Sequence, residues 1–280
     1  QISGLSHGTD VWLGNAQDLI SDGTCTISEV IGCRDDIMTY LLHKAEKYER
    51  ETGKESPLKK KDCFKIMEYT RKGKAPKELP PYEEAMKTVG VEQWYIDSCY
   101  KIKYMFPKAH AAAYVISAFR IAWYKVHMPV YFYASWYSSK ATDVDVEAMI
   151  KGYNAIKQKI LEIQAKGYEA TNKENGQAES LKVALEATAR GIKFLNVDLY
   201  KSEATVWTVG SDNEIYPPFN AIDGLGDTVA KNIVREREIN RFLSIEDVQV
   251  RGKVSKTLID KMVEMGILEG LPNSNQLSLF

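Results

Sequence analysis

Two glycines one residue apart, Gly224 and Gly226, stand ahead of an amphipathic run in AIDGLGDTVAKNIVRERE. Glycine permits the backbone angles of a tight turn at little steric cost. The first N–H groups of the following helix then point outward together, a receptor for phosphate. Thr228 and Lys231 fall on the first turns of that helix, where they add contacts. An echo follows 29 residues later: Leu225–Ala230 aligns with Val254–Ile259, and Ile233-Val234 with Met262-Val263. The second turn carries Lys253, Ser255 and Lys256 within RGKVSK, three cations and no acid. Two such helix-hairpin-helix units in tandem can hold both strands of a duplex by their backbones, without reading sequence. Residues 224–269 as a whole are balanced, eight Lys/Arg against eight Asp/Glu, so the argument rests on the two turns.

A second candidate is an absence. From Ser98 to Thr142 there is no Asp or Glu in a chain holding 38 acids, while Lys101, Lys103, Lys108, Arg120, Lys125 and Lys140 lie within it. On a helix, His110, Ala113, Ser117, Arg120, Tyr124 and His127 form one small-and-polar stripe. Tyr114, Val115, Phe119, Ile121, Trp123 and Val126 are expected to face a core. Cations without anions suit a polyanion, nucleic acid or a nucleoside triphosphate; a core helix with one wet edge explains the periodicity equally well. A third candidate is Asp143-x-Asp145 in DVDVE, which mimics a metal-binding pair. It opens a helical segment, so Asp143 reads as an N-cap and Asp145 as a first-turn acid. A nuclease built on Asp143, Asp145 and Glu147 is disfavoured, because helical spacing turns Asp145 away from the other two.

The elements that must position these residues are mostly helices. Residues 1–43 mix glycines with apolar segments: SHGTDVW reads as a loop entering a helix capped by Thr9 or Asp10, and the stretch after it as two short helices broken near Gly32. Residues 44–81 read as a polar insert ending in KAPKELPP, with twelve Lys/Arg against six Asp/Glu from 44 to 77. That surplus is either solvated surface or a phosphate-tracking arm. Residues 82–138 and 144–192 are helical by pattern, 193–222 reads as short strands around a GSDNE turn, and helices return from 223 to 268. Cys25, Cys33, Cys63 and Cys99 fit no zinc spacing and read as free buried thiols. The longest apolar stretch, 111–136, is interrupted by Arg120 and Lys125, which argues against a membrane span.

With these residues in hand, the chain resembles the bacterial C-family replicative DNA polymerases. FPKAHAAAYVISAFRIAWYKVHMPVYFYASWYS is similar to their fingers, and ISGLSHGTDVWLGNAQDLI resembles the PolC-type alpha subunits of DNA polymerase III from Gram-positive bacteria. PPFNAIDGLGDTVAKNIV and RGKVSKTLID are similar to that family's duplex-binding domain, and QLSLF to the pentapeptide with which bacterial proteins hook the sliding clamp. The resemblance implies a mainly α fold: a fingers region over 1–192 with a basic insert at 46–81, a duplex-binding domain over 193–269 with a few short strands, and a clamp-binding tail over 270–280. Ser6, His7, Gly8, Thr9, Lys108, His110, Ser117 and Arg120 would serve the incoming dNTP. Gly224, Gly226, Thr228, Lys231, Lys253, Ser255 and Lys256 would hold primer–template DNA. Gln276, Leu277, Leu279 and Phe280 would dock on the sliding clamp. The insert at 46–81 does not match the family pattern, and its role stays open.

The resemblance also implies what lies elsewhere. Nucleotidyl transfer in the family uses two Mg²⁺ ions held by carboxylates of a palm domain. The chain opens on Gln1, as a piece of something longer would, so no catalytic or metal-binding residue is expected in it and the chain alone should not extend a primer. Its setting would be the cytoplasmic, nucleoid-associated replisome, with no membrane contact. A non-enzymatic clamp-binding DNA adaptor would explain the hairpins and tail, but not SHGTDVW. Burying each of Leu277, Leu279 and Phe280 contributes about 1.5–3 kcal/mol. Ordering a free tail offsets much of that, which leaves a grip of roughly micromolar strength. The Pro272–Asn275 spacer is expected to leave that tail untethered.

Overall fold

In a computed structural model, which describes residues 1–275, the chain is mainly helical, as expected. It divides into two compact units, Gln1–Arg120 and Ile121–Phe280. The clamp-docking residues Gln276, Leu277, Leu279 and Phe280 lie outside the described residues.

The first unit holds α1 (Ile2–His7), a kinked turn at Trp12–Ala16 where Leu13 and Gly14 leave helical torsions, α2 (Gln17–Ser21), α3 (Arg34–Thr52), α4 (Lys60–Arg71), α5 (Ala75–Glu78), α6 (Pro80–Thr88) and α7 (Gln93–Lys101). α8 (Lys108–His127) contains the division between the units. The expected break near Gly32 does not split two helices: α3 runs unbroken for 19 residues, because Asp36 accepts from the N–H of Cys33 at 2.9 Å and closes its first turn. Neither Thr9 nor Asp10 caps a helix. Thr9 instead pairs with Tyr104 across an isolated bridge, and Asp10 sits at φ 56°.

The 46–81 stretch is not a loose arm. Leu58, Cys63, Ile66, Met67, Ala75 and Leu79 are all buried in the same core as Leu41, Ile96 and Cys99. Its prolines prevent one continuous helix, and the segment is divided into α4, α5 and α6; Pro76 and Pro80 occupy first-turn positions of α5 and α6, where a missing N–H costs nothing. All four cysteines are free and buried. Burial pushes the Cys33 and Cys63 thiols up to about 11 and Cys99 to about 12, far from a reactive thiolate.

The second unit holds α9 (Pro129–Ser139), α10 (Val146–Ile150), α11 (Tyr153–Ala165) and α12 (Asn172–Ala189). A three-stranded sheet follows: β1 (Lys193–Phe194), β2 (Thr208–Val209) and β3 (Glu214–Tyr216), in the order β1-β3-β2. β1 runs parallel and β2 antiparallel to β3, the latter pair joined through Asp212 and Asn213 at positive φ, which the expected GSDNE turn supplies. Then come α13 (Asp227–Ile239), α14 (Ile245–Gly252) and α15 (Lys256–Glu264). One core joins α9–α12 to the sheet and contains Tyr133, Leu181 and Trp207. Another gathers Phe219, Ile233, Val248 and Met262 around the helical hairpins.

Two local expectations are corrected here. Asp145, not Asp143, caps α10, accepting from the N–H of Ala148 at 2.9 Å. The Pro272–Asn275 spacer is tethered: Pro272 and Asn273 carbonyls accept from the N–H groups of Ile245 and Glu246, and Ser274 donates to Glu246 at 2.7 Å. Among the described residues, no helix is long and apolar enough to cross a membrane.

Candidate nucleic-acid interface

The two hairpin turns repeat each other at the level of torsion and burial. Gly224 sits at φ 88° and its counterpart Lys253 at φ 54°. Leu225 and Val254, next in each turn, are both 3% exposed. Gly226 (φ −77°, ψ 159°) and Ser255 (φ −65°, ψ 155°) are the N-caps of α13 and α15. Ala230 and Ile233 bury the inner face of α13 as Ile259 and Met262 bury that of α15. The 29-residue echo is thus a structural repeat. Gly224 and Ser255 line one open groove of about 600 Å³, with Leu258 and Lys261 between them.

The glycines play different parts. Gly224 needs its positive φ, which a side chain would strain. Gly226 has ordinary extended torsions, and a Cβ built on it meets nothing within 4 Å. The fold of the chain therefore does not require glycine at 226. What glycine gives there is bare access to the helix N-terminus. The N–H groups of Gly226, Asp227 and Thr228 find no acceptor among the described residues, nor do those of Ser255, Lys256 and Thr257. Ser255 Oγ caps the N–H of Leu258, while no side chain caps α13.

Around these turns, Thr228, Lys231, Lys253 and Lys256 are exposed, and the three lysines have no ion-pair partner among the described residues. Arg251, the third cation of the second turn, is not available. It donates to the Asn240 carbonyl at 2.9 Å and the Asp247 carboxylate at 3.1 Å, and stacks 4.8 Å over Phe242. Acids are also present. Asp223 is held by Lys173 at 2.7 Å, and Asp260 and Glu264 line the groove between the turns.

In the first unit, the end of α1 and the start of α8 come together; Ser6 and His7 close α1 and Gly8-Thr9 leads out of it, so SHGT ends a helix and is not the loop expected to enter one. Thr9 donates to Tyr104 O at 2.9 Å, and a Cβ on Gly8 would lie 2.9 Å from that same carbonyl, so Gly8 permits the close approach. His7, Phe106, His110 and Tyr114 then line a recess of about 210 Å³ with Ser3 and Ala111. His110 stacks on Phe106 at 5.1 Å and 12°, and lies 4.5 Å from Tyr114. His7 Nδ1 lies 2.8 Å from Ser3 O and 2.9 Å from Ser6 Oγ. A carbonyl only accepts, so Nδ1 carries the hydrogen and Nε2 is the ring's open nitrogen. Lys108 stands apart, its N–H bonded to Asp35 at 2.6 Å and its ammonium 3.5 Å from Asp36. Ser117 and Arg120 lie about 10 Å or more further along α8, do not line the recess, and have no partner among the described residues.

Two expectations for α8 change. Its apolar residues are not core: Tyr114, Phe119, Trp123 and Val126 are each at least half exposed, and no residue of α8 is buried. The acid-free stretch is also not acid-free in space. Lys103 pairs with Asp10 at 2.7 Å, Lys108 with Asp36, and Lys125 with Glu186 at 2.8 Å. Sequence reading missed Phe106 and Tyr114, although the His110–Tyr114 spacing of one helical turn was visible. Among the described residues, no group of three or more His, Cys, Asp or Glu could hold a metal ion. Asp145 faces Ala148 N–H and Lys159, which does not suit a magnesium ligand.

Comparison with known proteins bears on both regions. The helix-hairpin-helix motif family matches residues 191–277. Over all 280 residues the chain is 54% identical to the PolC-type DNA polymerase III of Bacillus subtilis strain 168, 53% identical to that of Halalkalibacterium halodurans and 55% identical to that of Listeria welshimeri. Each match covers 100% of this chain and 18% of the relative, so the chain spans under a fifth of the length of these relatives.

Proposed function

We propose, from the premise that this chain belongs to the PolC-type DNA polymerase III family, that it is the portion of a replicative DNA polymerase that grips duplex DNA and receives the incoming nucleotide. The observation that carries the duplex grip is Gly226, a glycine its own backbone does not need, at the open N-terminus of α13. Its counterpart Ser255 is the N-cap of α15 and shares an open groove with Gly224 of the first turn, so the paired turns can receive two backbone phosphates. Lys231, Lys253 and Lys256, exposed and without ion-pair partners among the described residues, add cationic contacts at the turns, while Asp260 and Glu264, which line the groove, disfavour an anion inside it. Thr228 adds a hydroxyl donor. These contacts are to backbone, so affinity is independent of sequence.

The recess of His7, Phe106, His110 and Tyr114 supports the nucleotide side of the reading. Stacked rings beside an open imidazole nitrogen suit the nascent base pair. Ser6, Gly8 and Thr9 position His7 at the end of α1, and Lys108, Ser117 and Arg120 offer polar groups along α8 toward the triphosphate. The exposed apolar surface of α8 is larger than isolated surface residues explain, and the remaining four-fifths of the polymerase, palm included, is its natural cover. Magnesium would be held by palm carboxylates outside this chain. Gln276, Leu277, Leu279 and Phe280 would hook the sliding clamp in the cytoplasmic replisome.

The test is a primer-extension assay on this chain with Mg²⁺, all four dNTPs and the sliding clamp, run beside a binding measurement on primer–template DNA. Sequence-independent binding without extension is expected. Extension would show that the metal carboxylates are in this chain after all, and failure to bind duplex would remove the grip.

A further inference from the structure

A second concentration of uncompensated charge lies on α4, on residues that belong to neither the hairpins nor the aromatic recess. From 59 to 74 the chain carries seven Lys/Arg against two Asp/Glu. Helical spacing puts Lys60, Lys61, Phe64, Lys65, Glu68 and Lys72 on one side of α4. Cys63, Ile66, Met67 and Thr70 occupy the other side and are buried. The acids of this stretch are already engaged. Asp62 accepts from the Lys59 N–H at the helix start, and Glu68 is held by Arg71 and Lys72, the latter at 2.7 Å. Lys60, Lys61 and Lys65 have no acidic partner among the described residues. Phe64, in their midst, is 53% exposed.

By contrast, two lysines of neighbouring α3 are matched: Lys44 by Glu92 at 2.7 Å and Lys47 by Glu51 at 3.7 Å. Ordinary surface helices pair or alternate their charges in this way. α4 instead offers three unpaired lysines within about 8 Å of helix, with one aromatic ring among them, and Glu68 beyond them is held by Arg71 and Lys72. The far end of α4 leads to the aromatic recess. Arg71 O accepts from the Met105 N–H at 3.3 Å, next to Phe106, and the Arg34 N–H donates to Phe106 O at 3.2 Å.

We infer that the outer face of α4 binds single-stranded nucleic acid, with Lys60, Lys61 and Lys65 on successive phosphates and Phe64 stacked on a base. An exposed aromatic among unpaired lysines suits a strand whose bases are free. A duplex hides its base faces and cannot use Phe64. An acidic protein would use the lysines but needs a broader apolar centre than one ring. The site shares no residue with the hairpins and stands or falls apart from the duplex grip.

The experiment is fluorescence anisotropy of this chain with a short labelled oligo(dT), over a range of salt, beside a blunt duplex. The combined variant Lys60→Gln/Lys61→Gln/Lys65→Gln is expected to weaken oligo(dT) binding and reduce the salt slope by about 2. Phe64→Ala is expected to weaken it about tenfold with the slope kept. Duplex binding should be unchanged in both. All four side chains face solvent, and circular dichroism verifies that the variants fold. An unchanged slope in the triple variant overturns the inference. So does indifference to Phe64→Ala combined with displacement of oligo(dT) by polyglutamate, which would assign the face to an acidic protein.

Discussion

The turn at Gly224–Gly226 and the turn at Lys253–Ser255 trace the same backbone with different residues, and the differences separate folding from binding. At the first position the backbone demands positive φ. The first turn meets it with glycine; the second forces a lysine into it. Left-handed torsions cost an L-residue roughly 1 kcal/mol or more. A residue kept in strain at an exposed turn suggests that its side chain is wanted there. At the third position torsions are ordinary in both turns. Serine, a good N-cap, occupies one, and glycine, a poorer one, occupies the other. The first turn therefore gives up a cap and the second gives up torsional ease. Each concession leaves something facing solvent that a phosphate can use: bare N–H groups in one case, an ammonium in the other.

The largest effect is expected from Gly226→Val. A Cβ at 226 meets nothing in the chain, so the melting midpoint should move by less than about 1 kcal/mol equivalent. The isopropyl group would occupy the space that a phosphate needs, and duplex affinity should fall about tenfold or more, equally for all sequences. Gly224→Val is the control, because there the strain at φ 88° should lower stability as well. If Gly226→Val loses stability as much as Gly224→Val, the first turn is a packing device and the comparison fails.

Lys253→Gly sharpens the other half. Removing the side chain from φ 54° should raise stability by roughly 1 kcal/mol. It should also lower duplex affinity a few-fold and reduce the salt slope by about 0.9, the share of one phosphate contact. Opposite signs in stability and binding are the mark of strain kept for function. If the slope is unchanged, Lys253 does not meet phosphate and its strain has another cause.

Much of this was legible in the sequence, for a physical reason. A hairpin turn needs particular torsions within three residues, so Gly-x-Gly and its echo are written locally. The strands near 193–216 were legible for the same reason, through their β-branched residues and the Asp212-Asn213 turn. What was missed depends on distant partners. Lys103, Lys108 and Lys125 sit in an acid-free stretch, yet Asp10, Asp36 and Glu186 reach them from other elements. Arg251 looked like a spare cation and is occupied with the Glu236 and Asn240 carbonyls. The apolar faces of α8 read as core because periodicity reports that a face is apolar, not what covers it.

The smallest expected effect tests an asymmetry between the turns that is purely electrostatic. Asp223 precedes Gly224, with Lys173 at 2.7 Å and Lys261 at 4.0 Å. The second turn has Gly252 at the matching position and nothing to titrate. The hydrogen bond from Lys173 foremost holds the Asp223 carboxyl below its ordinary value of 3.8, against the opposing effect of burial and with a weaker pull from Lys261. A carboxylate with a lowered folded pKa stabilises fully above the unfolded value, and that contribution is lost as pH falls through the folded one. Asp223→Asn should therefore melt slightly below the wild type at neutral pH, and the two curves should converge in acid. The carboxylate is 67% exposed, so screening keeps the gap small and added salt should close it. Curves that stay parallel from neutral pH into acid would mean that the lysines do not stabilise the first turn through this carboxylate, leaving its geometry to Gly224 and the buried Leu225.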